Sequence, residues 1–278
     1  MRAALVAFAG LCALLAVAVY VFSFDTQRGR RWDAATLDAA VAQRDVPAVQ
    51  RASSGLIRTI DIGSLVLLGG AIVGIALLLG NVAGAAGAIV LIVCANLTTQ
   101  VLKPLLGETQ PFGPRGDFTR SFPSGHATVA MSLALAAVLA APIAWKLLVA
   151  LGGAAYAAGM GISLLVQAGH YPSDVAGAYL VTAAWAGAIA AVLPIARGVG
   201  RNDAVRGGIA AAGAAAAAFA LVVAVAVHRH PGIVVRVEVQ TKLVLILTTL
   251  AALALILAAG LALLLQAMAL RTASTTRS

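Results

Sequence analysis

Two short segments of the chain place histidines at the boundary of apolar stretches. Residues 122–126 read Phe-Pro-Ser-Gly-His and bring His126 to the start of an apolar run. Residues 169–174 read Gly-His-Tyr-Pro-Ser-Asp, so Asp174 follows His170 by four positions. A carboxylate that binds one imidazole nitrogen fixes the tautomer and makes the other nitrogen a better nucleophile, while a second, protonated imidazole can donate a proton to a departing oxygen. The two segments therefore predict a nucleophile, an acid and an orienting carboxylate.

Three further residues are suited to holding an anion between these histidines. Ser124 and Gly125 precede an apolar helix, and backbone N–H groups at a helix start attract negative charge. Lys103, at the end of another apolar stretch, supplies a positive charge. This set indicates phosphoryl transfer at a lipid surface, where positioning and charge stabilisation do most of the work. Lysine, amides and histidine supply the positive field, so we expect no metal and no cofactor.

The elements that must position these residues are apolar helices. The chain has 278 residues, of which 62% are hydrophobic and 10% charged, and its mean hydropathy is +0.99. A soluble domain carries about 25% charged residues, whereas runs of about 20 apolar residues recur along this chain. The alternation typical of a membrane barrel does not occur in the sequence, so we predict an all-α, polytopic membrane bundle. The predicted spans are 3–23, 62–80, 82–102, 126–145, 147–167, 175–196, 207–227 and 243–267.

The polar segments between the spans indicate how the chain is oriented. Residues 24–61 form a long loop, in which residues 32–51 are typical of an amphipathic helix on the membrane surface that Pro47 ends or kinks. Residues 197–206 are short and arginine-rich, which favours a cytoplasmic location even though the 24–61 loop also carries arginines. Both histidine segments then lie on the outer face of the cytoplasmic membrane. The net charge of +9 fits anionic lipid headgroups, so no nucleic-acid partner is expected.

The spacing of these residues resembles the three motifs of the type 2 phosphatidic acid phosphatase superfamily. The first motif is similar to the stretch from Lys103 to Pro111, the second is complete at residues 123–126, and the third is similar to the stretch from Ser163 to Asp174. The resemblance covers about residues 60 to 196 and implies a six-helix core. We therefore expect a catalytic core at 1–196, including the 24–61 loop, and a two-helix extension at 197–278.

The resemblance also implies a role for each matching residue. His170 would form a phosphohistidine, Asp174 would orient it, and His126 would protonate the leaving group. The phosphate oxygens would be held by Lys103, Ser124 and Gly125. The implied substrate is a membrane phospholipid or a polyprenyl phosphate or diphosphate.

The chain departs from the family pattern at two arginines, whose places hold Gln110 and Leu164. Arginine binds phosphate in a bidentate way that a neutral residue does not copy. One explanation is that Arg115 or Arg120 supplies the missing charge from the loop. Another is a phosphodiester substrate, to which Gln110 and Gln167 would donate neutral hydrogen bonds. Sphingomyelin-synthase-like members of the wider superfamily keep the two histidines and the aspartate and transfer a phospho-headgroup between lipids.

A third explanation is a protein without catalytic activity that binds lipid or acts as a scaffold. In that case the last two predicted spans would be the natural contact for a membrane-protein partner. The retained histidines and Asp174 favour an enzyme, and the scaffold stays an open alternative at this point.

Overall fold

A computed structural model describes residues 2–106, 109–110, 118–119, 122–193 and 241–275. Described residues are almost entirely helical, which confirms the all-α prediction. The short strands β1 (Thr109–Gln110) and β2 (Phe118–Thr119) pair antiparallel between α5 and α6. The helices are α1 (Arg2–Asp25), α2 (Gln27–Val41), α3 (Pro47–Ile57), α4 (Ile62–Leu78), α5 (Val82–Leu106), α6 (Gly125–Ala140), α7 (Lys146–Val166), α8 (Pro172–Val192) and α9 (Thr241–Thr275).

Five described helical stretches are long and apolar enough to cross a membrane, so the protein is an integral membrane protein. They are α1, α5, Ile143–Val166, α8 and part of α9. The α3 and α4 helices would form a sixth span if the pair, bent by 68°, crosses as one unit. The predicted span 207–227 lies outside the described residues.

The α6 helix is shorter than a span, with 16 residues and a length of about 24 Å. The prediction carried it to residue 145, but it ends at Ala140. The reason is Pro142, which disfavours helical backbone at the residue before it, and Ala141 is accordingly extended. The helix is nevertheless central, because it packs against α5, α7 and α8 and most of its side chains are buried.

Small residues bring the central helices close together. A Cβ atom on Gly153 of α7 would lie 2.7 Å from the Cβ of Ala134 in α6, closer than two carbon atoms can approach. Only glycine permits this crossing, in keeping with the close packing that small residues allow between membrane helices. Around this centre, α1 packs along α8, and α9 packs against α7 and α8.

The polar segment after α1 is broken at Pro47, as predicted, but the helix before the break begins at Gln27 and not at residue 32. It forms α2, a 3₁₀ turn at Ala42–Asp45 and α3, which begins at Pro47. Proline is favoured at the first helical position, where its missing N–H costs nothing. The α2 helix packs on α1, α7, α8 and α9 and buries Leu37 and Ala40, so it covers one end of the bundle.

Candidate active site

The turn between α7 and α8 places His170 beside Asp174. The α8 helix begins at Pro172, which puts Asp174 in its first turn. Asp174 Oδ2 accepts a hydrogen bond from the Tyr171 N–H at 3.1 Å and lies 3.4 Å from His170 Nδ1. One carboxylate oxygen therefore caps the helix start and faces the imidazole.

The start of α6 is joined directly to this turn. The Ser124 N–H donates to the backbone carbonyl of Asp174 at 3.0 Å, and Ser124 Oγ accepts from the Ala127 N–H at 3.4 Å as the N-cap of α6. Two predicted motifs that are distant in sequence thus share a backbone hydrogen bond. The positive ends of the α6 and α8 dipoles meet here, which suits an anion.

Lys103 and His126 complete the charged part of the site. Lys103 lies in the last turn of α5, and its Nζ is 3.1 Å from the point where a Cβ on Gly125 would stand. His126 is half-buried in the first turn of α6, a helix that is not among the candidate spans. Burial, followed by the charges of His170 and Lys103, lowers the pKa of His126 below its ordinary value. Lys103 and His170 are therefore close enough for their charges to act on His126.

Phe122 packs against aromatic side chains next to Lys103, His126 and His170, which are called the charged group below. Its ring lies 5.3 Å from that of Tyr20 and 5.8 Å from that of Phe24, both in α1. The ring also occupies the space that a side chain at Gly177 of α8 would need. Glycine at position 177 therefore lets Phe122 pack directly on α8.

An apolar groove of about 750 Å³ starts at Phe122 and runs between α1, α5 and α8. Leu102 and Leu106, on either side of Lys103, line it together with Tyr20. Gly10 of α1 lies further along the same groove. Its volume is in the range of small-molecule sites, about 300–1,000 Å³. Phe122 and Leu102 are sequence neighbours of the charged residues, whereas Lys103, His126 and His170 are not among the residues that line the groove.

The remaining positions singled out in the sequence are the departures from the family pattern and the residues predicted to compensate for them. Leu164 is 3% exposed and belongs to the apolar core. Gln167 Nε2 donates to Ser53 Oγ of α3 at 2.7 Å, so its phosphate contact stays a prediction that requires this bond to break. Gln110 lies in β1, but its side chain is outside the described part, and Arg115 and Arg120 are outside it altogether.

Sequence reasoning missed Asp33 of α2. This residue is 0% exposed, and its carboxylate accepts from both the N–H and the Oγ of Ser173, at 3.1 and 2.5 Å. The signal was present, because Asp33 shares one helical face with Leu37 and Ala40 at spacings of four and seven. An acidic residue on an otherwise apolar face indicates a buried partner.

The comparison with protein families agrees with the motifs. Residues 84–197, which contain α5 to α8 and the charged group described above, match the family model of the PAP2 superfamily. No curated protein and no solved structure matches the chain significantly. Residues 84–197 are therefore similar to the PAP2 superfamily, and this similarity supports phosphatase-type activity in the broad sense.

Proposed function

We propose that the protein is a lipid phosphatase or phosphotransferase that works through a phosphohistidine on His170. The observation that carries this proposal is the hydrogen bond from Ser124 to Asp174, because it joins the His170–Asp174 pair to the start of α6. A substrate phosphate at the start of α6 would then have a nucleophile, helix N–H groups, a lysine and a second histidine near it. This is the set that phosphoryl transfer needs.

The reaction has two steps. In the tautomer that donates Nδ1–H to Asp174, the His170 Nε2 lone pair attacks phosphorus, and the bond from phosphorus to the leaving oxygen breaks. His126 donates its proton to that oxygen. Water then attacks the phosphohistidine, His126 takes up a proton from it, and the phosphorus–nitrogen bond breaks to release phosphate. Lys103 and the N–H groups at the start of α6 stabilise the negative charge throughout.

The groove supports an amphiphilic substrate such as a phosphatidyl lipid or a polyprenyl phosphate or diphosphate. Its apolar lining begins at Phe122, two residues before Ser124, and at Leu102, next to Lys103. A hydrocarbon chain in the groove would direct a phosphate at its end toward the start of α6. The arginines of residues 197–206 favour a site that faces outside the cytoplasmic membrane.

A phosphodiester lipid is the second candidate, and the burial of Leu164 favours it. An apolar core side chain stands where the family pattern has an arginine. A monoester carries close to two negative charges, whereas a diester carries one and needs less positive charge nearby. His170 Nε2 would then attack the phosphorus of the diester, and the lipid alcohol would leave. The hydroxyl of an acceptor lipid would next attack this phosphorus and break its bond to His170, which completes transfer of the headgroup.

Turnover of three lipids by the purified protein tests these proposals. Phosphatidic acid, a polyprenyl diphosphate and phosphatidylcholine would each be supplied in detergent micelles. Release of inorganic phosphate that disappears in His170→Ala, but persists in His228→Ala outside the family match, supports the phosphatase. Headgroup transfer without free phosphate supports the second candidate. Absence of His170-dependent turnover of every lipid contradicts both and favours a scaffold.

A further inference from the structure

We propose that Asp33 is a positioning residue that holds the His170–Asp174 pair in its reactive arrangement. This inference rests on the proposed function, since it concerns the same pair. Asp33 lies in α2, outside the residues that match the PAP2 family model. With this role for Asp33, the polar segment between α1 and α4 would contribute to the active site.

The contact of Asp33 with Ser173 is fully buried and involves both carboxylate oxygens. Oδ1 accepts the Ser173 N–H, and Oδ2 accepts the Ser173 hydroxyl. That N–H is in the first turn of α8, where the helix itself offers it no acceptor. Charge-assisted hydrogen bonds of this kind are shorter and about twice as strong as neutral ones. Asp33 thus fixes the backbone and the side chain of Ser173 together.

Ser173 transmits this restraint to the reacting groups because it immediately precedes Asp174. The Asp174 side chain faces His170, and its backbone carbonyl receives the Ser124 N–H. A shift of Ser173 therefore moves Asp174 relative to both histidine segments. Misplacing a reacting group by about 1 Å can lower a rate by about 100-fold.

The α2 and α3 helices hold the α7–α8 turn at both of its ends. Ser53 of α3 binds Gln167 at the beginning of the turn, and Asp33 binds Ser173 at its end. His170 lies between these two attachments. The turn that carries the nucleophile is therefore bounded on each side by a hydrogen bond to the same polar segment.

Packing at the α1–α2 junction gives Asp33 a defined position. Thr26 Oγ1 accepts the Gly29 N–H at 2.9 Å as the N-cap of α2. Any side chain on Gly29 would overlap the backbone carbonyl of Phe22. Because α2 is packed so closely on the end of α1, Asp33 is presented by a rigid element.

The test compares Asp33→Asn with Asp38→Asn, the same substitution on the exposed face of the same helix. Each variant is labelled with ¹⁵N-histidine in detergent, and the His170 imidazole signals are identified by their loss in His170→Gln. We expect Asp33→Asn to move the His170 signals and to lower kcat for the lipid phosphate about tenfold or more, with KM within about twofold. Asp38→Asn should leave both unchanged. If Asp33 only stabilises the fold, Asp33→Asn should lower the melting temperature without lowering kcat selectively over KM.

Unmoved His170 signals and unchanged kcat in Asp33→Asn would overturn the inference, as would an equal effect of Asp38→Asn. If Asp33→Asn does not fold, Ser173→Ala takes its place, because it removes only the hydroxyl contact. A smaller displacement of the His170 signals would support the inference there, and unmoved signals would overturn it. Lack of any turnover by the wild-type protein would count against the proposed function alone, since the imidazole spectra test Asp33 without catalysis.

Discussion

Each end of α6 lies against a lysine from a neighbouring element, but the surroundings of the two lysines differ. At the C-terminal end, Lys146 of α7 is buried, and its Nζ donates to the carbonyls of Val138 and Leu139. Asn81 adds a hydrogen bond to the carbonyl of Ala140 at 2.9 Å. A cation at this end compensates the negative pole of the helix dipole and binds the carbonyls that the helix leaves without donors.

At the N-terminal end, Lys103 lies against Gly125, where the helix dipole is positive. A cation there is repelled by the helix, and His126 adds a second group that can become positive. Such an arrangement is useful when an anion binds between them. Lys146 therefore stabilises the end of α6 that it contacts, whereas Lys103 lies where only a bound anion would make a cation favourable, as the proposed function requires.

Removing the charge of Lys103 should have the largest effect on catalysis. We expect Lys103→Met to lower kcat/KM for a lipid phosphate by about 100-fold or more, because a preorganised charge beside the reacting phosphate is lost. Its melting temperature should be equal to or above that of the wild type, since a repelled cation is removed. A variant with reduced stability and normal kcat/KM would break the comparison.

The same substitution at the other end should give the opposite pattern. Lys146→Met should reduce the free energy of unfolding by about 1–3 kcal/mol, because buried carbonyls of α6 lose their donor. Thermal unfolding in detergent measures this loss. The kcat/KM of the folded variant should stay near that of the wild type, and a selective loss of activity would contradict the structural role.

A methyl group on Gly125 sharpens the comparison with a smaller change. Gly125→Ala places a carbon atom 3.1 Å from the current position of Lys103 Nζ, which must move away. We expect kcat/KM to fall about tenfold, with little change in melting temperature. Gly55→Ala is a suitable control, since a Cβ at Gly55 meets no atom within 4 Å.

We expect the smallest effect in the pKa of His126. Its pKa should lie below the ordinary histidine value, because burial and the charges of His170 and Lys103 disfavour the protonated ring. In Lys103→Met one of these charges is gone, so the pKa should rise toward the ordinary value. ¹⁵N-histidine spectra recorded across pH would give the titration midpoint of His126. An unchanged midpoint in Lys103→Met would show that the charge of Lys103 does not act on His126.

Much of the fold was predictable because continuous apolar runs in the sequence predict membrane helices. The predicted spans 62–80 and 147–167 agree closely with α4 and α7. The span predicted at 126–145 was too long, since hydropathy alone does not register the effect of Pro142 on Ala141. The surface helix predicted at 32–51 is interrupted at Pro47 as expected, but its start was misplaced, because α2 already begins at Gln27.

The candidate site was predictable where its contacts are local. His170 and Asp174 are four residues apart, so their pairing follows from the geometry of one helix start. The groove beside Phe122 was not predictable, since its walls come from α1, α5 and α8, and the packing of these helices depends on contacts along their whole lengths. Gln167 illustrates the same limit, because its hydrogen bond to Ser53 of α3 could not be read from its position in sequence, while its phosphate contact stays a prediction.

Composition and residue spacing along the chain were enough to indicate a helical membrane protein whose histidines and aspartate resemble the PAP2 motifs. Those properties depend on composition and on short spacings, which the chain carries wherever it folds. Only the tertiary structure decided that Ser124 meets the backbone of Asp174 and that Asp33 holds Ser173, 140 residues away. Such contacts depend on how whole helices pack, and side-chain volumes at many distant crossings set that packing together.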